Sequence, residues 1–430
     1  MAKEVACGLQ CRTRGIATGV AIAVATIGTF SIATHAASPP EMWPAPPPER
    51  GPADPLQFAL TADVYHDNNL FRLPGGDPRT FGVNSGSRSD TISRLGASVR
   101  YENVINRQYV LTQLGIQHHS FQQNDNLDHV AGSALGRWLW RAGSQWDGEL
   151  SYEFRRQLTS FAYVRSSERN LVDRQDIIAS GGYRPDPRWR VWGGLNYLVT
   201  DNNLAAQMSN DMEISAASAG VDYTTPADDS VGVHLRRAAG RFPNRESIAA
   251  TLVSNEYDET TTSLAGIWNV TAASRFDGRV GYTRRSHDQF PSRDYSGPTL
   301  VANYRWLPTT ALRVETSAWR ELWTAETQTS SYVVAKGLRI GPTWSVTSKV
   351  SLRGGMSYET RAYQGDPGIA LGATTLRDDT VRTYQLALAY GFLRNSEFTV
   401  LLERGSRNSN QQQFDYDYNA LLLRLRLGFF

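Results

Sequence analysis

From residue 57 to the last residue, apolar and polar side chains alternate with a period of two, which confines this chain to β-strands with one apolar and one wet face. In "KVSLRGGMSYE" (349–359), Val350, Leu352, Met356 and Tyr358 fall on one face, and Lys349, Arg353 and Glu359 on the other. In "TYQLALAYGF" (383–392), Tyr384, Leu386, Leu388, Tyr390 and Phe392 oppose Thr383, Gln385 and small residues. "QWDGELSYEFR" (145–155) sets Trp146, Leu150, Tyr152 and Phe154 against Asp147, Glu149, Glu153 and Arg155. Amphipathic helical spacing is scarce, and no stretch past the N-terminal segment approaches the length of an apolar spanning helix.

Such strands suit a soluble sandwich or a membrane barrel, and the connections decide between them. About eighteen strands can be read, with sixteen as the alternative, and their connections alternate in length. Short turns such as "AG" (142–143), "PDP" (185–187), "TAA" (271–273) and "LPT" (307–309) are separated mostly by longer polar loops, including 67–89, 159–171, 200–210, 243–256 and 361–379. Short turns at one end and long loops at the other define an all-β transmembrane antiparallel β-barrel of the outer-membrane type. Aromatic residues track the short turns, among them Tyr101, Trp140, Trp146, Tyr183, Trp189, Trp268, Trp306 and Trp344, as expected of rings seated at a headgroup boundary. Lys336 is the misfit. It falls on the apolar face of "YVVAKGLRI" and is tolerable only near the outer interface, where its ammonium can snorkel.

The ends of the chain agree with this reading. Residues 1–36 carry a basic flank, an apolar run and "THA" before Ala37, the features of a cleaved signal peptide. Both cysteines, Cys7 and Cys11, lie in that segment, so the mature chain has neither disulfides nor thiolate metal sites. Residues 37–56 form a Pro-rich periplasmic spacer, and 57–430 the barrel. The last strand, "LLLRLRLGFF", resembles the terminal signal read by the barrel-assembly machinery of Gram-negative bacteria, with that pattern displaced: Phe429 is in phase with the apolar face and Phe430 one residue beyond it. A Gram-negative outer membrane is the expected location, with its lipid as a contact.

"DNNLFRLPGG" then belongs to the first outer loop, followed by "SDTISRLGASVRYE" (89–102) and "RNLVDRQDIIASGGYRPDPRWRVWGGLNY" (169–197). Together these pieces resemble the EpsL-type outer-membrane barrels of exopolysaccharide operons, in the beta-barrel porin 2 family. The motif residues are Asp67, Asn68, Asn69, Leu70, Phe71 and Arg72. The resemblance implies a part in exopolysaccharide biosynthesis or export, as the channel the polymer crosses or as a structural barrel that organises the secretion apparatus. It brings no catalytic residues.

The side chains offer little other chemistry. His118 and His119 are adjacent on a strand and point to opposite faces, so they do not make a metal site together. No nucleophilic constellation or phosphate loop stands out, and a net charge of +2 gives no reason to expect nucleic acid. We expect a non-enzyme without metal or cofactor. The basic residues, 41 Arg against 3 Lys, leave the lumen as the candidate site. By strand parity Arg155, Arg190, Arg279, Arg313, Arg353, Arg424 and Arg426 point inward, with Asp and Glu among them. Trp192 and Trp319 share that phase, placed to stack on sugar rings. An Arg-biased lining suits an acidic extracellular polysaccharide, though for any one of these residues pairing across strands is the simpler role. With only a short spacer ahead of the barrel, export would call on a separate periplasmic partner.

Overall fold

The computed structural model describes residues 54–163, 167–244, 256–288, 291–324, 330–365 and 376–429; the expected signal peptide (1–36), nearly all of the expected spacer (37–56) and Phe430 lie outside them. The first strands are β1 (Leu56–Asp67), β2 (Asp90–Ile105), β3 (Gln108–Phe121), β4 (His129–Ala142), β5 (Trp146–Leu158) and β6 (Leu171–Tyr183). They are followed by β7 (Trp189–Asn202), β8 (Met212–Thr224), β9 (Ser230–Arg241), β10 (Glu256–Thr271), β11 (Ser274–Ser286) and β12 (Tyr295–Trp306). The last are β13 (Leu312–Thr324), β14 (Tyr332–Ser345), β15 (Val350–Gln364), β16 (Asp378–Leu393), β17 (Ser396–Ser409) and β18 (Tyr416–Phe429). Each pairs antiparallel with its chain neighbours, and β1 pairs with β18 from Phe58↔Phe429 to Asp67↔Ala420, so the 18-stranded sheet closes on itself. Closure gives every strand two paired neighbours, so no strand is an outer edge along its whole length.

The expected strand count, parity and loop alternation are all present. The β2–β3 and β16–β17 turns take two residues each, and Asn106 (φ 58°) and Asn395 (φ 63°) supply the left-handed conformation. At the other end the strands run further than their apolar stretches, so the loops spring from polar wall above the membrane. Apolar side chains of the outer face are fully presented to the surroundings: Leu95 is 65% exposed and Leu195 64%. In water such a belt would be an aggregation site, whereas in lipid it is the contact surface.

Two aromatic girdles bound the belt. At the short-turn end Trp146 stacks near Tyr183 (4.8 Å between rings) and Trp189 near Tyr223 (5.0 Å). At the loop end stand exposed Tyr152, Tyr197, Tyr282, Tyr358 and Tyr384, a second girdle that turn proximity did not reveal. Trp189 and Tyr197 lie eight residues apart on β7, which at about 3.3 Å per residue and a tilt of about 40° separates the girdles by roughly 20 Å. Lys336 is exposed, faces Thr360 and sits one outward position above Leu338, whose partner is Tyr358. It therefore lies at the outer girdle, where its ammonium reaches water.

One stretch of wall departs from simple alternation. The β12–β13 ladder runs only from Leu300↔Arg320 to Trp306↔Val314. Above it Leu322, Trp323 and Thr324 are buried in succession, as are Tyr332 to Ala335. Outward-parity Leu322, Tyr332 and Val334 pack against inward-facing Tyr295, with the Tyr295 and Tyr332 rings 5.3 Å apart. The β13–β14 tip thus passes inside the tip of β12. Pro298 has no N–H for a ladder, and its carbonyl accepts from Arg320 Nη1 (2.5 Å).

Candidate functional site

The inward face carries guanidinium and carboxylate groups in pairs. Of the residues singled out by parity, Arg190 Nη2 lies 2.6 Å from Asp147, Arg279 3.1 Å from Glu321, Arg353 3.3 Å from Glu397, and Arg424 2.8 Å from Asp63. Arg313 is 3.6 Å from Glu315, and Arg155 pairs with Glu153. Arg426 instead donates to the Asn395 carbonyl at the short-turn end (3.2 Å). Most of these charges are therefore met on the wall itself. Arg190 is 5% exposed and Trp192 7%, the latter set edge-on to His234 (5.1 Å) beneath the lumen surface, which leaves no ring face for a sugar. An arc of the inner wall is apolar as well: Leu198, Met212, Ile214, Ala238 and Tyr257 form a buried cluster with Phe242. The lumen is neither uniformly polar nor wide.

Three elements narrow it from the loop end. The first is the "DNNLFR" segment. Asp67 is the last residue of β1 rather than a loop residue, and it is 1% exposed. Its carboxylate accepts from Asn69 N (2.9 Å), Tyr65 OH (3.0 Å) and both terminal nitrogens of Arg72 (2.9 and 2.8 Å). Asn69 closes the turn, its Nδ2 donating to the Leu73 and Asp417 carbonyls (2.9 Å each), while Asn68 Oδ1 accepts from Asn419 N (2.8 Å). Arg72 adopts φ 55° and lays its guanidinium on the Tyr418 ring, 3.5 Å from the centroid. Burial works against its charge, and Asp67 more than offsets that, so its proton is held more tightly than in a free guanidinium. Leu70, Phe71 and Leu73 are buried with Val83, Ile92, Phe121, Leu127 and Phe161. The polar letters of the motif tie the turn down and the apolar ones fill a small core.

The second element is the β5–β6 loop. Phe161 packs on Phe71 (4.7 Å between rings). The Ala162 carbonyl accepts from Arg407 Nη1 (2.5 Å), and Tyr163 OH accepts from Arg361 Nη2 (3.0 Å). These partners lie on β17 and β15, so the loop crosses the lumen. The third element is the β13–β14 tip, whose inner face presents Trp319 and Trp323 beside Arg361.

Together they enclose a chamber of about 560 Å³. Arg72, Arg94, Arg339, Arg361 and Arg424 reach it, opposed by Asp67, Glu321, Glu359 and Glu403. Its aromatic surface comes from Tyr65, Phe121, Phe161, Tyr163, Trp319, Trp323, Tyr416 and Tyr418. Trp319 lies over Gly337, where a Cβ would collide with the ring. Two buried donors in the lining, Arg361 Nη1 and Trp319 Nε1, meet no acceptor among the described residues. His119 faces inward with its ring 4.4 Å from His129, and His118 faces out. Of the residues chosen from sequence, Trp319, Arg424, Asp67, Leu70 and Arg72 meet at this chamber; Arg155, Arg190, Arg279, Arg313, Arg353, Arg426 and Trp192 do not line it. Arg94, Arg339 and Arg361 were missed, although Arg361 shares its parity with Arg353 four steps of alternation below.

A closed barrel with an apolar belt between two aromatic girdles, narrowed from inside by its own loops, is a porin-like barrel of the Gram-negative outer membrane. Residues 262–429, from the middle of β10 through β18, match the family model described as "Putative beta-barrel porin 2". No curated protein matches the sequence. Solved structures with a similar fold include the outer membrane protein OpdK of Pseudomonas aeruginosa, 9% identical over 87% of this chain and 99% of that one, with a TM-score of 0.47. Others are OccK2 (OpdF) of the same organism in complex with glucuronate (10%, 87% and 98%, TM-score 0.47) and a BenF-like porin of Pseudomonas fluorescens Pf-5 (10%, 87% and 99%, TM-score 0.45). At such identities nothing about substrate carries over.

Proposed function

We propose that this barrel is an outer-membrane passage for an acidic saccharide in exopolysaccharide export, and that the chamber under the β5–β6 loop is its binding station. The observation behind this reading is the convergence of five guanidinium groups with tyrosine and tryptophan faces in one chamber that still holds unspent donors. Aromatic faces receive the apolar faces of sugar rings, and guanidinium groups pair with carboxylates through charge-assisted hydrogen bonds. The volume lies within the range of small-ligand pockets, so a short saccharide segment fits at a time. The nearby carboxylates keep binding weak enough for release, as conduction requires.

Planar-bilayer recordings of the purified protein test this. Open-channel current should be interrupted by short oligouronates and not by neutral oligosaccharides of the same length. Replacing Arg361 by Gln should shorten the interruptions. A barrel that conducts no ions, in cells that secrete polymer normally when the chamber is filled by bulky substitutions, would point instead to a structural barrel that organises the apparatus.

A further inference from the structure

The outward cations at the loop end are distributed unevenly. On one side of the barrel they are matched: Arg156 lies 2.5 Å from Asp173, Arg241 2.7 Å from Glu213 and Arg237 3.9 Å from Asp258. On the arc from β11 to β17 they are not: Arg284 lies beside the Tyr282 ring, and Arg320, opposite Lys336, is held by the Tyr295 hydroxyl and the Pro298 carbonyl rather than by a carboxylate. Lys336, Arg382 and Arg404 point outward there, and none has a carboxylate within ion-pair distance among the described residues. The outward carboxylates of this arc and its neighbour strand, Asp378 and Asp417, stand nearer the loops and pair with none of the three.

The three cations form one diagonal row at the outer girdle, each a single outward position from the next along the ladders. Arg382 lies one outward position above Tyr384, Arg404 faces Tyr384 directly, and Lys336 lies one outward position above the level of Tyr358. The Arg382 guanidinium lies 5.9 Å from the Tyr358 ring centroid. Arg382 and Arg404 are diagonal neighbours, about 7–8 Å apart. Hydroxyl groups fill the positions between, with Thr360 opposite Lys336 and Ser406 opposite Arg382. A cation on the lipid face is costly at mid-bilayer and close to free at the interface. These three sit where a phosphate, rather than an acyl chain, is the neighbour.

We propose that this arc is a docking surface for the phosphorylated glycolipid of the outer leaflet, lipid A, whose phosphates lie at the level of the outer tyrosine girdle. Three unpaired cations with hydroxyl donors between them complement a polyphosphorylated headgroup. The tyrosine rings and the leucines below, Leu338, Leu386 and Leu402, meet its acyl chains. The opposite arc, already neutralised by its own carboxylates, has no such complement. This surface faces away from the lumen and does not depend on what the lumen carries.

The test measures binding of bis-phosphorylated lipid A to the folded barrel in detergent, with native mass spectrometry of co-purified lipid as a second readout. Replacing Lys336, Arg382 and Arg404 together by Gln should weaken binding about 100-fold, at about fivefold for each cation near a charged membrane surface. The triple Arg156→Gln, Arg237→Gln, Arg241→Gln should leave it unchanged. Heat-modifiable gel mobility reports that each variant is folded, and if the first triple is not, Lys336→Gln alone should still give the fivefold loss. Equal binding by the first triple and the wild type overturns the proposal. So does binding of phosphatidylglycerol or of dephosphorylated lipid A as tightly as the bis-phosphate, since the surface would then be reading charge or acyl chains alone.

Discussion

Asp67 is the residue on which the first narrowing element depends, and its replacement by Ala has a calculable consequence. The carboxylate is 1% exposed and the guanidinium it holds 13%. Removing one partner of a buried pair leaves an uncompensated charge and costs about 3–5 kcal/mol. The cost falls on the turn and its small core, because the barrel ladder continues on both sides of β1. At about 1.4 kcal/mol per tenfold, the open form of the β1–β2 loop should rise roughly 100- to 4,000-fold. A reporter is at hand: Val83 is 1% exposed within that core, and the only cysteines of the chain, Cys7 and Cys11, lie well ahead of the barrel in sequence. In a Val83→Cys background, thiol labelling should accelerate by that factor on Asp67→Ala. Adding Arg72→Met, which removes the stranded charge, should return much of the protection. Labelling within twofold of the parent would refute the reasoning outright. A double variant as fast as Asp67→Ala would move the cause to the other donors Asp67 satisfies, Asn69 N and Tyr65 OH.

Three further outcomes are expected. Phe161→Ala removes the ring that pins the β5–β6 loop to Phe71, at about 3–5 kcal/mol, and should raise single-channel conductance; an unchanged value would mean the Arg361–Tyr163 and Arg407–Ala162 bonds hold the loop alone. His287, in the β11–β12 loop, is pushed down to about 4 by burial and by Arg285, with Asp294 pulling the other way. The folded loop therefore binds fewer protons than the opened one, so its stability falls progressively as pH drops from about 6.5 toward 4 and is insensitive above that window; amide exchange across residues 287–294 should show this, and His287→Gln should abolish it. Changing Arg279, Arg313 and Arg353 together to Gln exposes Glu321, Glu315 and Glu397 and should shift the reversal potential toward cation preference in a barrel that still folds, whereas Glu at these sites would set carboxylate against carboxylate; an unshifted potential would show that the wall below the chamber does not influence permeation.

The wall of this barrel was legible in the sequence because period-two alternation is local: each of Val350, Leu352, Met356 and Tyr358 announces its face through its immediate neighbours. Register and strand number follow from that and from turn length. The interior was legible only in direction. Parity places Arg353 on the inside, whereas Arg361 falls in the expected loop 361–379 although β15 continues to Gln364; nothing near either residue tells that one meets Glu397 on the wall and the other a tyrosine 198 positions away. Leu198 shows the opposite failure, since it is flanked by apolar Tyr197 and Val199, so its stretch reads as greasy on both faces and conceals a buried inner cluster. The motif "DNNLFR" was conspicuous as letters, but its Leu and Phe are buried by partners from four other segments, which no local pattern could supply.

The seam between β1 and β18 has a consequence for assembly. Asp63 must wait for Arg424, 361 positions later, and Asn68 and Asn69 must wait for Asn419 and Asp417. Contacts of such sequence separation form slowly and last. The first turn of the nascent chain therefore cannot settle until the final strand has arrived beside it, and Arg72 finds its ring on Tyr418 only then. "DNNLFR" acts as a latch thrown at the end of biogenesis, so a barrel that has stalled short of closure would keep its first loop loose and remain open to quality-control proteases.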